Sequence, residues 1–276
     1  MLLAIDVGNT NIVFGLFQQD ALAHHWRMAS RLDATADELG VFLTSAARRA
    51  GVTLPRDLEG VIIGSVAPPL TAALVRMSRA WLGLEPRIMH VSLLADMPVR
   101  VKEPERVGAD RLLNAYAARA AFGAPVIALD FGTATKFDVV GPEGDFLGGA
   151  IAPGFRTASD ALVSKTALLP RIDLAAPPAA IGDDTITAMQ SGIVLGYVSL
   201  VEGLLKRIQA ALAPHKPLVV ATGGLADAIL PHTHAIDRHD PHLTLHGLRL
   251  VFAQNVRDVE KILQPVDLSA PSEHRS

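Results

Sequence analysis

The 276 residues predict an α/β fold built from two similar halves, 1–120 and 121–264, followed by a polar tail over 265–276. Three observations carry that prediction. Half of the residues are hydrophobic and 19% are charged, with a mean hydropathy of +0.31. Such a chain holds enough apolar surface for sizeable cores and too much to stay disordered. Apolar strand-like runs alternate with helix-like segments in each half. Finally, LLAIDVGNTNIVFG and VIALDFGTATKFDV superpose, Asp6 on Asp130 and Gly8 on Gly132, 124 residues further along. Each segment is an apolar strand ending in Asp, a Gly-containing turn rich in Thr or Asn, and a return strand. One such turn is commonplace; two, each opening a β-then-α half, read as a duplication.

The elements follow in order. Residues 2–6 and 12–17 form an early hairpin around VGNTN. Thr35 and Glu38 make a capping box that opens a helix running to a stop at Gly51. A strand at 61–66, a helix from Pro69 to Gly83, a strand near 88–91 and a helix from about Val107 to Gly123 complete the first half. The second starts over with strands at 125–130, 137–140 and 146–151, ending at the Pro153-Gly154 turn. From Asp184 to Leu212 the pattern is helical, and Gly192, Gly196 and Gly203 suggest close packing against another helix. A strand at 218–221, a Gly223-Gly224 turn and helices to about Leu263 follow. The polar tail is expected to fray.

Composition removes several function classes. With no cysteine, disulfide scaffolds, Cys-ligated zinc, iron–sulfur clusters and thiol nucleophiles are excluded. A net charge of −3 with interspersed signs gives no case for nucleic acid or an anionic membrane. No apolar stretch reaches the roughly 18 residues of a membrane span, and the start lacks a basic signal region, so a soluble cytoplasmic protein is expected. GxG, Walker A, GxSxG and HExxH patterns are all missing from the sequence. Phosphate binding, if present, needs other hardware.

The twin turns can supply it. A tight hairpin directs consecutive backbone N–H groups outward, and Gly lets a phosphate oxygen approach without a Cβ in the way. Thr10, Thr133 and Thr135 add hydroxyls, and a strand-end carboxylate can hold a hydrated cation. Two ordinary hairpins are the plainer alternative, but the pair favours a nucleotide site. The segment Val107-Gly108-Ala109-Asp110-Arg111 sets an acid and a base at a helix start, where free N–H groups favour anions. Asp110 as a mere cap, with Arg111 on a solvated face, is equally open at this point. Five histidines between His232 and His246 are irregularly spaced and interrupted by prolines, which argues against a metal site.

Seven motifs in order, DVGNTN, GADR, DFGTAT, GGAIAPG, IGDDTITAMQSG, ATGGLA and DPHLTLHGLRL, resemble those of the type III pantothenate kinases from about residue 2 to 255. That family belongs to the acetate and sugar kinase, heat-shock and actin superfamily, with two tandem ribonuclease H-like domains and ATP in the cleft between them. The resemblance implies ATP-dependent phosphorylation of pantothenate to 4'-phosphopantothenate, the first step of coenzyme A biosynthesis. It implies an ATP loop of Asp6, Val7, Gly8, Asn9, Thr10, Asn11, Ile12 and Val13, joined by Thr133. Gly108, Ala109, Asp110 and Arg111 would hold pantothenate, with Asp110 as the base and Arg111 on the substrate carboxylate. Thr185 would touch the substrate, Mg²⁺ would sit near Asp6, and Asp130 would bind the family's monovalent cation, K⁺ or NH₄⁺. The family is homodimeric, its pantothenate pocket completed near the subunit interface, where the 184–212 helix is expected to pack.

Two residues depart from the family pattern. A tyrosine usual three residues before the proline that precedes GADR is Val101 here. The usual DxGTATTFD reads DFGTATKFD, with Lys136 for a threonine. Facing Asp130 across the strand pair, Lys136 is expected to bring its ammonium to the cation site and make the ion dispensable; pointing to solvent or touching an ATP phosphate are the competing expectations. Two other functions stay open: a non-catalytic regulatory accessory factor of the same fold, and a kinase for another small hydroxylated substrate.

Overall fold

A computed structural model describes residues 1–263, with side chains of the last helix described to residue 256; the predicted tail lies outside these residues. The first half holds β1 (Leu2–Val7), β2 (Asn11–Gln18), β3 (Ala21–Ala29), α1 (Ala36–Arg49), β4 (Gly60–Ser65), α2 (Pro68–Met77), β5 (Arg87–Ile88) and α3 (Ala109–Phe122). The second holds β6 (Val126–Phe131), β7 (Ala134–Val140), β8 (Phe146–Pro153), α4 (Phe155–Ser164), α5 (Thr185–Gln190), α6 (Gly196–Ala211), β9 (Leu218–Thr222), α7 (Ala226–Ile229), β10 (Arg238–His239) and α8 (Leu243–Leu263).

The duplication is explicit in the topology. One sheet runs β3-β2-β1-β4-β5 and the other β8-β7-β6-β9-β10, the same order in both halves. In each, the first three strands form an antiparallel meander and the last two join in parallel. Asp6 pairs in register with Val13, and Asp130 with Lys136.

Strand periodicity sorts the side chains into three cores. Leu3, Ile5 and Val7 of β1 face outward and join Ile12, Phe14, Leu39 and Leu74 under α1 and α2. Ile127, Leu129 and Phe131 of β6 face outward in the same way, under α4 and α6. The opposite series, Leu2 and Ala4 in β1 with Val126 and Ala128 in β6, face a shared central core that contains α3 and α8. Asp6 and Asp130 continue this second series by two residues, so both carboxylates emerge on the central side where the strands end. Close approach of the two central helices depends on Gly247, whose Cβ would lie 2.5 Å from the Leu113 carbonyl oxygen.

Several local expectations hold and several change. The capping box forms: the Glu38 N–H donates to Thr35 Oγ1 at 3.2 Å, and the Thr35 N–H to Glu38 Oε2 at 2.8 Å. The strand expected near 88–91 shrinks to Arg87–Ile88, followed by a 3₁₀ turn at Val91–Leu93. β3 and α4 appear without having been predicted. β3 has no continuous apolar run, alternating exposed and half-buried residues instead. The helix beginning at 185 runs continuously to 211 through a π turn at Ser191–Leu195. Its glycines do not pack within the chain: nothing lies within 4 Å of a Cβ built at Gly192, Gly196 or Gly203. This run also departs from the expectation that no segment is apolar enough to span a membrane. An 18-residue window within it has mean hydropathy 1.4, and a third of that window is buried. The discrepancy arises because scattered Gly, Ser and Thr break the apolar string without adding charge.

Candidate active site

A cleft of about 550 Å³ opens where the two sheets present their strand ends. The twin turns meet across it: Thr10 Oγ1 and Thr133 Oγ1 are 2.7 Å apart. Each turn is closed by its own backbone, Gly8 N–H to Asn11 O at 2.9 Å and Gly132 N–H to Ala134 O at 3.2 Å. Side chains brace them from behind, Ser30 Oγ donating to Gly8 O and Thr157 Oγ1 to Thr133 O, both at 2.7 Å. Of the predicted first loop, Asp6, Gly8, Asn9, Thr10, Asn11 and Val13 line the cleft. Val7 and Ile12 are instead buried in the outer core, so only their backbones are available to a ligand. That follows from the alternation that turns Asp6 and Val13 inward.

The floor carries three carboxylates and one ammonium. Asp6 ends β1, Asp130 ends β6, and Asp110 sits in the first turn of α3, whose cap Gly108 offers no side chain. Asp110 Oδ1 accepts the Arg111 N–H at 2.9 Å, a local cap, while its Oδ2 is hydrogen-bonded to Lys136 Nζ. Lys136 Nζ also lies 2.7 Å from Asp130 Oδ2. The outward orientation of Lys136 is therefore ruled out: with Asp138 and Val140 it belongs to the central face of β7, opposite Thr135 and Phe137. Burial works against a charge on Lys136, but Asp130 and Asp110 outweigh it and hold the ammonium protonated. Burial raises Asp130 above the usual carboxylate range against the pull of Lys136. Asp6 is pushed up to about 7 by burial, then by Asp110 and Asp130. Its carboxylate has no hydrogen-bond partner among the described residues and lines the cleft.

Arg111 corrects an expectation. Its Nε donates to the fully buried Asp138 Oδ1 at 2.6 Å, and its guanidinium stacks 5.7 Å over the Phe146 ring. It is neither on a solvated face nor among the residues lining the cleft; Nε is committed to Asp138, while its two terminal nitrogens have no hydrogen-bond partner among the described residues. Burial pushes Asp138 up to about 7 against the attraction of Arg111. Gly108 and Ala109 face a second depression behind the α3 terminus, lined also by Val66, Val107 and Arg76. Thr185 begins the exposed α5 and does not line the cleft. Val101 packs against Gly148, in the place where the family pattern has a tyrosine.

Sequence reasoning missed part of the wall. Arg27 on β3 reaches the cleft and lies near Gly224 on the opposite rim. The duplication itself held the signal: a third strand was predicted in the second half, and its counterpart after β2 is β3. From the histidine-rich stretch, His239 and His242 line the cleft, His242 against His25 with ring centroids 4.4 Å apart. Gly223 closes the far wall. Its φ is +93°, and a Cβ there would stand 2.5 Å from Asp130 Oδ1 and 2.7 Å from the Phe131 backbone.

Known proteins resemble this chain over most of its length. The family profile described as type III pantothenate kinase matches residues 2–207. A relative from Moorella thermoacetica named type III pantothenate kinase is 48% identical over 255 residues, covering 92% of this chain and 100% of its own. A solved structure of a Baf family transcriptional activator from Campylobacter jejuni superposes with TM-score 0.60 at 16% identity, covering 92% of this chain and 99% of that one. The activator of 2-hydroxyisocaproyl-CoA dehydratase from Clostridium difficile, solved with bound ADPNP, superposes with TM-score 0.51 at 10% identity, covering 96% and 98%. Those two likenesses show the fold alone.

Proposed function

The chain belongs to the type III pantothenate kinases, with their duplicated actin- and hexokinase-like fold, and phosphorylates pantothenate with ATP for coenzyme A biosynthesis; from that premise we propose how its residues divide the work. The observation that carries the division is the juxtaposition of Asp110, at a helix start, with two phosphate-type turns whose tips touch. ATP phosphates lie between the turns, received by their backbone N–H groups and by the hydroxyls of Thr10 and Thr133. The pantothenate hydroxyl approaches from the α3 side. Asp110 accepts its proton as the hydroxyl oxygen bonds to the γ-phosphorus and the bond from that phosphorus to the bridging oxygen of ADP breaks. Phosphoryl transfer asks mainly for positioning and charge compensation, which suits so small a set of side chains.

A divalent ion fits here. Asp6 offers an unpartnered carboxylate inside the cleft, and Mg²⁺ commonly needs only one or two carboxylates besides nucleotide phosphates and water. When bound it supplies compensation of phosphate charge. At Asp130 the Lys136 ammonium, 2.7 Å from Oδ2, already supplies the single positive charge that a free monovalent cation would bring.

Support for a homodimer comes from the 185–211 helix, whose glycine positions and much of whose apolar window are uncovered in one chain. We place the reaction in the cytoplasm, with coenzyme A synthesis. Incubation of the purified protein with ATP, Mg²⁺ and pantothenate should yield phosphopantothenate by mass spectrometry. Efficient phosphorylation of another small alcohol, with none of pantothenate, would overturn the substrate assignment.

A further inference from the structure

We propose that Lys136 is a tethered cation, its ammonium permanently filling the position between Asp110 and Asp130 that a free monovalent ion would otherwise take. The inference rests on the kinase reading above and deepens it by naming a further positioning residue of the same site. Two independent features of the chain converge on it. Strand register sets Lys136 directly opposite Asp130 in the β6–β7 pair, and facing side chains of such a pair start about 5 Å apart. The start of α3 then brings Asp110 to the same ammonium from another layer of the fold. Lys136 therefore ties the base to the second turn, linking a residue of the first half to one of the second.

The charge balance explains why a cation is needed there. Asp6, Asp110 and Asp130 all lie on the cleft floor, and ATP would add further negative charge. Among the described residues lining the cleft, only Arg27 joins Lys136 as a permanently charged cation. An ammonium has three N–H donors; two are accounted for by Asp110 and Asp130, which leaves one for a phosphate oxygen. It is also a compact point charge on a flexible stem, which makes it the side chain closest in kind to a bound alkali or ammonium ion. A mobile ion has to be bound from solution before each nucleotide arrives, whereas Lys136 is in place on folding.

The experiment compares the wild type with Lys136→Thr in potassium and in sodium buffers of equal ionic strength. Binding of a non-hydrolysable ATP analogue with Mg²⁺ is followed by isothermal titration calorimetry, and turnover is followed in parallel. The wild type should bind the analogue with a dissociation constant that changes less than twofold between the salts, and should turn over equally in both. Lys136→Thr should bind at least tenfold more weakly in sodium and recover most of that loss in potassium. A wild type whose binding or turnover depends on potassium overturns the proposal; so does a Lys136→Thr protein indifferent to the salt. If the variant does not fold, the wild-type titration decides by itself. If no phosphopantothenate forms in either salt, the kinase reading fails, while calorimetry still reports on Lys136 separately.

Discussion

Replacing Asp110 by Asn separates its catalytic role from its structural one. The amide keeps the size of the carboxylate, and its oxygen can still accept the Arg111 N–H that now reaches Oδ1 at 2.9 Å, so the start of α3 keeps its local cap. What disappears is the negative charge beside Lys136. That ammonium retains Asp130 at 2.7 Å, so it is not left unpaired. A hydrogen bond to a charged group contributes about 1.5–3 kcal/mol, and the partners are partly open, with side chains 14% and 21% exposed. The low end is therefore expected, about 1.5 kcal/mol, which lowers the melting temperature by about 3–6 °C in a domain of this size. Loss of a general base, by contrast, lowers kcat by about 10²–10⁴-fold, or roughly 3–5 kcal/mol of barrier. Circular dichroism melting, calorimetric titration with an ATP analogue, and a coupled ADP-release assay measure the three effects. Nucleotide affinity should be kept, since both turns are intact. An Asp110→Asn protein that turns over at more than a tenth of the wild-type rate per folded molecule would refute the base assignment and leave Asp110 a helix cap.

Three further outcomes are expected. Asp6, held at about 7 in the fold against an unperturbed 3.8, keeps its proton between those pH values while the unfolded chain has lost its own; nucleotide-free stability should therefore fall as pH rises from about 4 to 7 and level off above. Asp6→Asn should flatten that fall and raise the melting temperature at pH 8, while weakening Mg²⁺-dependent nucleotide binding; equal melting curves for both proteins across the range would contradict it. Gly223→Ala must adopt a φ of +93° and press its Cβ to 2.5 Å from Asp130 Oδ1, costing at least about 1–3 kcal/mol of backbone strain, visible as a lower urea midpoint and lost nucleotide binding. Gly196→Leu meets nothing within its own chain, so the monomer should fold normally, yet sedimentation should show loss of the proposed dimer; a variant that sediments as the wild type does would contradict packing of a second copy on this face.

The amino-acid sequence by itself determined the halves, the two turns and the acids at the strand ends. These are local properties: apolar period, Gly and Thr in a turn, a charge where an apolar run stops. Repetition of one pattern at a constant offset also made the architecture legible, since a duplicated strand–turn–strand has few ways to bury its apolar faces. The same offset implied β3, although its alternation of half-buried and exposed residues carries no strong local signal. Tertiary structure alone decided what each charged group faces. Asp110 and Arg111 are neighbours in sequence, yet one reaches the cleft and the other turns inward to Asp138, because the helix sends consecutive side chains in directions 100° apart. Strand alternation left a solvent-facing Lys136 as a competing expectation until β7 was placed with Thr135 and Phe137 in the outer core. That placement depends on a sheet register and on a helix from the other half of the chain, and no window of sequence contains both.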